Sequence, residues 1–246
     1  MQSPVFPYLG EDEHFEFPDP EEAGAQGVLA RGGNLSPGML LSAYRQGIFP
    51  WFSEDEPILW WAPDPRFVIY TADVHVSRSM KRVLNRDDVL VSADTDFDAV
   101  IDQCARIDRP GQYGTWITDE MIAGYGELHR LGYAHSIEVR THPKDLNGTE
   151  DDLVGGLYGV SIGRIFFGES MFSRRPNMSK LAFILLSRFV ADQGFQLIDS
   201  QVYTRHLARL GGSAIPRARY MEELSQALAH ETLRGSWADR FRTWRG

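Results

Sequence analysis

Apolar and polar positions change repeatedly between the period of a strand and that of a helix from about residue 67 onward. Helical spacing and capping residues predict a basic helix after Ser77 and further helices at 96–107, 118–132, 179–193 and about 218–231. Runs of β-branched and aromatic residues predict strands at 67–70, 89–92, 134–139, 153–160, 164–171 and 195–202. The polar stretch 141–152 predicts a turn.

The first 66 residues follow a different pattern. Residues 1–35 are acidic and rich in Pro and Gly, which predicts an extended arm, and Ser36-Pro37 predicts a helix that ends at Gly47. Prolines then interrupt a stretch crowded with aromatic residues, which excludes a regular helix there. These patterns predict an α+β protein with a small N-terminal domain at 1–66 and a larger domain with a mixed sheet at 67–246.

Composition is ordinary for a globular protein. Of the 246 residues 43% are hydrophobic, no apolar run approaches 18 residues, and the N-terminus lacks the pattern of a secretory signal. The single cysteine, Cys104, lies in a helical apolar pattern and is expected to be a buried thiol. We therefore expect a cytoplasmic protein without membrane contact.

The net charge of −9 is unevenly distributed. Residues 1–30 hold seven acidic residues and no Lys or Arg, so the rest of the chain is nearly neutral. Basic residues cluster in three places, where they could either meet phosphate groups or form solvated helix faces. The clusters are Arg78, Lys81, Arg82 and Arg86; Arg164, Arg174, Arg175 and Lys180; and Arg205, Arg209, Arg217 and Arg219.

Two polar patches interrupt apolar, strand-like sequence. One contains Glu169, and the other contains Asp199 and Gln201. Strict alternation of side chains in a strand would put Asp199 and Gln201 on one face. A carboxylate among apolar residues needs a partner, so the patches indicate either a site or a satisfied polar network at a sheet edge. The spacing alone leaves both readings open.

Short motifs add one alternative. The chain contains no phosphate-binding loop, zinc-protease, serine-hydrolase or paired-cysteine motif, and its histidines lack metal-ligand spacing. Residues 209–214 fit the loose R-x-x-G-x-A pattern with which CoA-dependent N-acetyltransferases bind pyrophosphate. That loop should open directly into a helix, whereas Ile215-Pro216 follows here, which counts against CoA.

Longer motifs, in order from about Phe17 to Arg219, closely resemble those of leucyl/phenylalanyl-tRNA–protein transferases. They include Gly32-Gly33-Asn34-Leu35-Ser36-Pro37, Ala43 to Phe52, Ile58-Leu59-Trp60-Trp61, Thr115-Trp116-Ile117-Thr118, Leu153 to Gly159, and the segments around Glu169 and Asp199. The resemblance implies a cytosolic enzyme with a GNAT-like acyltransferase domain at 67–246. It would move Leu or Phe, with Met as a further candidate, from aminoacyl-tRNA to the N-terminal Arg or Lys of a protein and so mark that protein for degradation.

The same resemblance suggests roles for individual residues. Asp199 would orient the acceptor amine and take its proton, directly or through a relay, and Gln201 would hold the amine or polarise the ester carbonyl. Glu169 would recognise the positive charge of the acceptor N-terminus. The donor side chain would lie in a pocket, the terminal adenosine of the tRNA would stack, and a basic helix would follow the acceptor stem. The residues expected are Leu157, Phe166, Met171 and Ile198 for the donor pocket, Trp51 and Trp116 for stacking of the adenosine, and Arg78, Lys81 and Arg82 for the basic helix.

The expected partners are Leu-tRNA and Phe-tRNA, through the acceptor stem and 3′ end, and proteins or peptides with N-terminal Arg or Lys. No metal or organic cofactor is expected, and we expect a monomer. Two rivals remain at this point: a CoA-dependent N-acetyltransferase that uses residues 209–214, and a non-catalytic module that binds tRNA or a degradation signal and does not need Asp199.

Overall fold

The computed structural model describes residues 6–107, 115–141 and 152–245. The predicted turn at 141–152 lies almost entirely outside these residues. The described part is a mixed α+β structure with one three-stranded and one seven-stranded sheet, which confirms the α+β part of the prediction.

The seven-stranded sheet forms the centre of the molecule. Its strand order is β10-β4-β9-β8-β7-β6-β5, and every neighbouring pair is antiparallel except β8 and β9. The strands are β4 (Arg66–Tyr70), β5 (Val89–Ala93), β6 (Ala134–Thr141), β7 (Leu153–Ile162), β8 (Ile165–Ser173), β9 (Leu197–Asp199) and β10 (Ser213–Ile215).

Helices cover both faces of this sheet. One face packs against a core that includes the long helix α5, and the other packs against a core built with α1, α3 and α4. The helices are α1 (Pro37–Arg45), α2 (Arg78–Leu84), α3 (Phe97–Arg106), α4 (Asp119–Arg130), α5 (Met178–Asp192), α6 (Arg205–Ala208), α7 (Arg217–Leu228) and α8 (Ala238–Arg245).

The N-terminal part carries a small sheet of its own. Its strands are β1 (Val28–Arg31), β2 (Phe49–Pro50) and β3 (Leu59–Trp61), in the order β1-β3-β2. Leu40, Tyr44 and Trp60 from this part belong to the same buried cluster as Tyr158 and Phe167 from the large sheet. The N-terminal part therefore shares a core with the sheet behind it.

A β-bulge interrupts the pairing of β7 with β8. Tyr158 lies opposite Ser170 and Gly159 lies opposite Gly168, so Glu169 is the extra residue. The bulge shifts the alternation of β8 by one position. Phe167 and Phe172 consequently pack into the same core although they are five residues apart. Phe166 and Met171 likewise face the opposite core together.

β8 and β9 remain paired over only three positions, Phe167↔Asp199 being the last. Beyond it β8 continues to Ser173, whereas β9 ends, and the chain leaves the sheet through Gln201, whose φ is 64°. The predicted strand at 195–202 is therefore shorter than expected. The gap that opens between β8 and the departing chain is the main cavity of the molecule.

Candidate active site

The cavity encloses about 690 Å³ and its lining is mainly apolar. The second half of β8 forms one side, and the segment after β9 together with α6 forms the other. Helix α5 contributes Ser179, Phe183 and Leu186, which sequence analysis did not single out. A cavity of this size can bury an amino-acid side chain together with part of a nucleoside.

Most of the predicted site residues meet in this cavity. The apolar residues expected for the donor pocket, Leu157, Phe166, Met171 and Ile198, all line it, as do Trp51, Trp116, Glu169 and Gln201. Trp51 is 39% exposed and its ring lies 5.3 Å from that of Trp61. The basic residues Arg78, Lys81 and Arg82 are exposed on α2 and do not line it. Their helix packs against α5.

Glu169 is the cavity carboxylate, and three side chains hold it. Tyr44 donates to Oε1 at 2.8 Å, Tyr125 donates to Oε2 at 3.0 Å, and Nε2 of Gln201 donates to Oε1 at 2.8 Å. Burial raises the pKa of Glu169 to about 7, although the hydrogen bonds from the two tyrosines oppose this rise. A carboxyl group with such a pKa can exist in both protonation states near neutral pH.

Asp199 lies behind the cavity rather than in its wall. Arg66 donates to both of its oxygens, at 2.9 and 2.7 Å, and Tyr220 donates to Oδ2 at 2.7 Å. A fourth hydrogen bond comes from the backbone N–H of Gln201 to Oδ1, at 2.8 Å. A carboxylate has about four acceptor positions, so these donors leave none for a substrate amine.

This geometry corrects the prediction that Asp199 and Gln201 share a strand face. The strand ends at Asp199, and Gln201 turns away with a positive φ, closed by a hydrogen bond from the Val202 N–H to the Ser200 carbonyl. As a result the Gln201 side chain reaches Glu169, while the Asp199 side chain points to Arg66. A direct contact between Asp199 and a bound amine is excluded while these hydrogen bonds are in place.

Sequence analysis missed four residues of this polar network. They are Tyr44, Arg66, Tyr125 and Tyr220, and all are buried. One signal was present: Arg66 opens an apolar strand just as Asp199 closes one, and two opposite charges in buried strands need each other. The tyrosines gave no local signal, because they approach Glu169 and Asp199 from distant helices.

The segment 209–214 does not line the cavity. Its chain continues into β10 and Pro216 before α7 begins, as the sequence indicated. Gly211 has a φ of 105° and packs against the Asp73 carbonyl, where a Cβ atom would come within 2.3 Å of the oxygen. These contacts give the segment a structural role and lend no support to a CoA site.

Three other features bear on possible functions. Across residues 6–107, 115–141 and 152–245, no three His, Cys, Asp or Glu side chains come close enough to hold a metal ion. None of the helices in those ranges has the length and hydrophobicity needed to cross a bilayer. Cys104 is fully buried, as predicted.

Comparisons with known proteins give a consistent result. Two family models match the chain: leucyl/phenylalanyl-tRNA protein transferase over residues 68–225, and the N-terminal domain of the same family over residues 33–64. Proteins named leucyl/phenylalanyl-tRNA–protein transferase from Syntrophus aciditrophicus and Anaeromyxobacter sp. (strain K) are 53% and 52% identical. They cover 90% of this chain, and the matches span 90% and 91% of their own lengths. One from Myxococcus xanthus is 49% identical, over 94% of this chain and 96% of its own.

Solved structures are more distant. A conserved protein of unknown function from Staphylococcus epidermidis matches with a TM-score of 0.38 and 12% identity, over 62% of this chain and 57% of the other. The L-PGS structure from Bacillus licheniformis matches with a TM-score of 0.37 and 10% identity, over 70% and 58%. These similarities are too low to support an argument, and the GNAT-like assignment stays a prediction.

Proposed function

Because the chain belongs to the leucyl/phenylalanyl-tRNA–protein transferase family, and is thus an aminoacyltransferase that uses tRNA and protein substrates, we propose that it transfers Leu or Phe to acceptors that begin with Arg or Lys. The new N-terminal residue would mark the acceptor for degradation in the cytoplasm. The observation that carries this proposal is the proximity of an apolar pocket to the Glu169–Gln201 pair within one cavity.

The apolar part of the cavity suits the donor side chain. Its wall offers the donor only hydrocarbon and a thioether, from Leu157, Phe166, Met171 and Ile198. Transfer of a Leu or Phe side chain from water into this pocket therefore contributes about 1.5–3 kcal/mol. A small or charged side chain would gain little or would lose its hydration without compensation. The pocket therefore selects by burial, without reading polar groups.

Aromatic rings at the cavity suit the nucleoside of the donor. Trp51 and Trp116 both line it, and stacking of a base on such a ring is worth about 1–3 kcal/mol. In this proposal the terminal adenosine of the tRNA stacks on these rings and its ester carbonyl lies between the apolar pocket and Gln201. The Arg78, Lys81 and Arg82 side chains of α2 then contact the phosphates of the acceptor stem without reading its sequence.

Glu169 and Gln201 suit a positively charged acceptor. Within the described residues no hydrogen bond reaches Oε1 of Gln201, so this oxygen is free to accept one from the acceptor amine. The ionised Glu169 carboxylate attracts the positive charges of an N-terminal Arg or Lys, and a charge-assisted hydrogen bond contributes roughly 1.5–3 kcal/mol. Acceptors that begin with uncharged residues lose the side-chain part of this attraction.

The reaction itself needs mainly positioning, because the donor ester is already activated. The neutral amine attacks the ester carbonyl, the new C–N bond forms, and the ester C–O bond breaks. The proton that the amine loses passes to the departing 3′ oxygen of the tRNA. Asp199 acts as a positioning residue: its carboxylate fixes the backbone of Gln201, and Gln201 in turn holds the amine.

A transfer assay tests this proposal. The protein is incubated with radiolabelled Leu-tRNA and a peptide that begins with Arg, and label in the peptide is counted. A peptide that begins with Gly and the Glu169→Gln variant serve as controls. The Gly peptide should receive much less label from the wild-type protein, and the variant should transfer much less label to the Arg peptide. A wild-type protein that binds Leu-tRNA but transfers nothing would support the binding-module reading and overturn the proposal.

A further inference from the structure

A second, basic pocket adjoins the candidate active site. It encloses about 480 Å³ at the junction of β8 with α5. Ser173, Ser179 and His206 line both this pocket and the main cavity, so the two are neighbours. The other lining residues are Arg174, Arg175, Pro176, Asn177 and Lys180. The described lining thus contains three cationic side chains and no carboxylate.

The backbone beneath these cations is held in place. The N–H groups of Arg174 and Arg175 both donate to the carbonyl of Val154, at 2.8 and 3.2 Å. The Ser173 hydroxyl donates to the Arg175 carbonyl at 2.7 Å and accepts from the Ser179 N–H at 3.2 Å. The two guanidinium groups themselves are exposed. The fixed backbone limits the positions from which the two exposed guanidinium groups can reach an anion.

His206 stands at the junction of the two cavities with an unused polar atom. Its Nε2 atom is buried, and no hydrogen-bond partner for it exists within the described residues. Burial, together with the nearby charges of Lys180 and Arg209, lowers the pKa of His206, which favours the neutral ring. Depending on the tautomer, the Nε2 atom of a neutral imidazole can accept a hydrogen bond from a sugar hydroxyl or donate one to a phosphate oxygen.

One residue of the basic pocket lies near the segment that follows α2. The hydrogen bond from Arg86 lowers the pKa of the Asp88 carboxyl, and the charge of Arg175 adds to this effect. Arg175 therefore lies within electrostatic range of Asp88, in the segment that follows α2, and α2 itself packs against α5. The basic pocket, through Ser179 and Lys180, and the basic helix α2 thus both border α5.

We propose that the basic pocket binds the sugar-phosphate backbone of the single-stranded 3′ end of the donor tRNA, directly upstream of the aminoacylated adenosine. This inference rests on the proposed function and deepens it. The acceptor peptide is the poorer occupant, because its N-terminus is positively charged and Arg174, Arg175 and Lys180 would repel it. A backbone with one phosphate per nucleotide matches a row of cations, and it recognises the donor independently of the amino acid it carries.

Two donors separate this pocket from the catalytic cavity. Leu-tRNA carries the phosphates, whereas 3′-O-leucyl-adenosine has the same ester and base but no phosphate. The Arg174→Gln/Arg175→Gln double variant should raise the KM for Leu-tRNA roughly tenfold or more, since each lost contact is charge-assisted. Transfer from leucyl-adenosine and the KM for the Arg peptide should stay within twofold of wild type. Arg240→Gln, an exposed cation on α8, is the matched control and should change none of these values.

Binding measured without catalysis makes the test independent of the reaction. A fluorescent RNA that ends in CCA is titrated with each protein at several salt concentrations. Each lost phosphate contact should reduce the slope of log affinity against log salt by about 0.7. A double variant that binds this RNA and uses Leu-tRNA as wild type does would overturn the pocket's role. So would an equal loss with both donors, or a raised KM for the peptide alone. Absence of transfer by the wild-type protein contradicts the proposed function instead, and the RNA titration still decides the pocket.

Discussion

Arg66 donates two parallel hydrogen bonds to Asp199, from Nε to Oδ1 at 2.9 Å and from Nη2 to Oδ2 at 2.7 Å, and both side chains are buried. Burial would lower the pKa of Arg66, but the Asp199 carboxylate raises it, so the guanidinium group stays charged. These hydrogen bonds occupy the Asp199 carboxylate, and in the proposed function its effect on the acceptor amine passes through Gln201.

Asp199→Asn should destabilise the protein by roughly 3–5 kcal/mol, because it leaves the Arg66 charge buried without a counter-charge. Arg66→Met should cost a similar amount. The double variant should cost clearly less than the two single changes together, since neither charge remains unpaired. Urea unfolding of all four proteins measures this coupling, and costs that simply add would contradict it.

The stability that Glu169 contributes should fall as the pH rises from about 4.5 to about 7. The pKa of Glu169 is raised from 4.5 to about 7 in the folded state, so between these values the folded protein keeps a proton that the unfolded chain releases. The contribution is complete below about pH 4.5 and is lost through about pH 7, a change of roughly 3 kcal/mol.

Glu169→Gln should remove most of this pH dependence and lower transfer to Arg-starting peptides. Unfolding at pH 5, 6, 7 and 8 measures the first effect. Glu22→Gln, which changes an exposed glutamate of the N-terminal arm, is the control and should keep the wild-type slope. An unchanged slope in Glu169→Gln would show that another group titrates.

Gln201→Gly should be more stable than Gln201→Ala by up to about 1 kcal/mol. Both variants lose the amide that contacts Glu169, but only Ala must keep a side chain at a φ of 64°. Both should lose nearly all transfer activity. Thermal unfolding compares the stabilities, and an Ala variant as stable as the Gly variant would mean that the turn relaxes.

Met171→Ala should shift donor preference from Leu toward Phe. The change widens the apolar wall, so a Leu side chain loses contacts that the larger Phe ring can keep. Competition between Leu-tRNA and Phe-tRNA should show the ratio of their kcat/KM values moving roughly tenfold. Met221→Ala, on α7 and outside the cavity lining, should leave the ratio unchanged.

Lys81→Gln/Arg82→Gln should weaken Leu-tRNA binding and make it less sensitive to salt. Both side chains are exposed on α2, and each lost phosphate contact should reduce the salt slope by about one unit. Binding isotherms at several salt concentrations measure this slope. A slope identical to that of wild type would remove α2 from the tRNA surface.

The sequence predicted the main elements well where local signals agree. Helix α4 begins after Thr118, whose side chain caps it, and α5 ends before the positive-φ Gly194, both as expected. The C-terminal helix α8 was missed, although Trp237, Phe241 and Trp244 repeat at helical spacing and pack around Phe189. That signal could have been read.

The polar network was beyond prediction for a different reason. Tyr44 and Glu169 are 125 positions apart, and nothing near either residue indicates the other. The bulge at Glu169 was equally hidden, because strict alternation would separate Phe166 from Met171. The positive φ of Gln201 was not predictable from the sequence, because glutamine rarely adopts such a backbone conformation.

The bulge in β8 has a consequence for how the enzyme can diverge. It makes one strand present Glu169 to the tyrosines on one face of the sheet and Met171 to the apolar core on the other. Under the roles proposed for these two residues, substitutions that change the choice of amino acid and substitutions that change the choice of acceptor fall in separate side-chain neighbourhoods. In that proposal, two specificities carried by neighbouring positions of the same strand can evolve, or be engineered, one at a time.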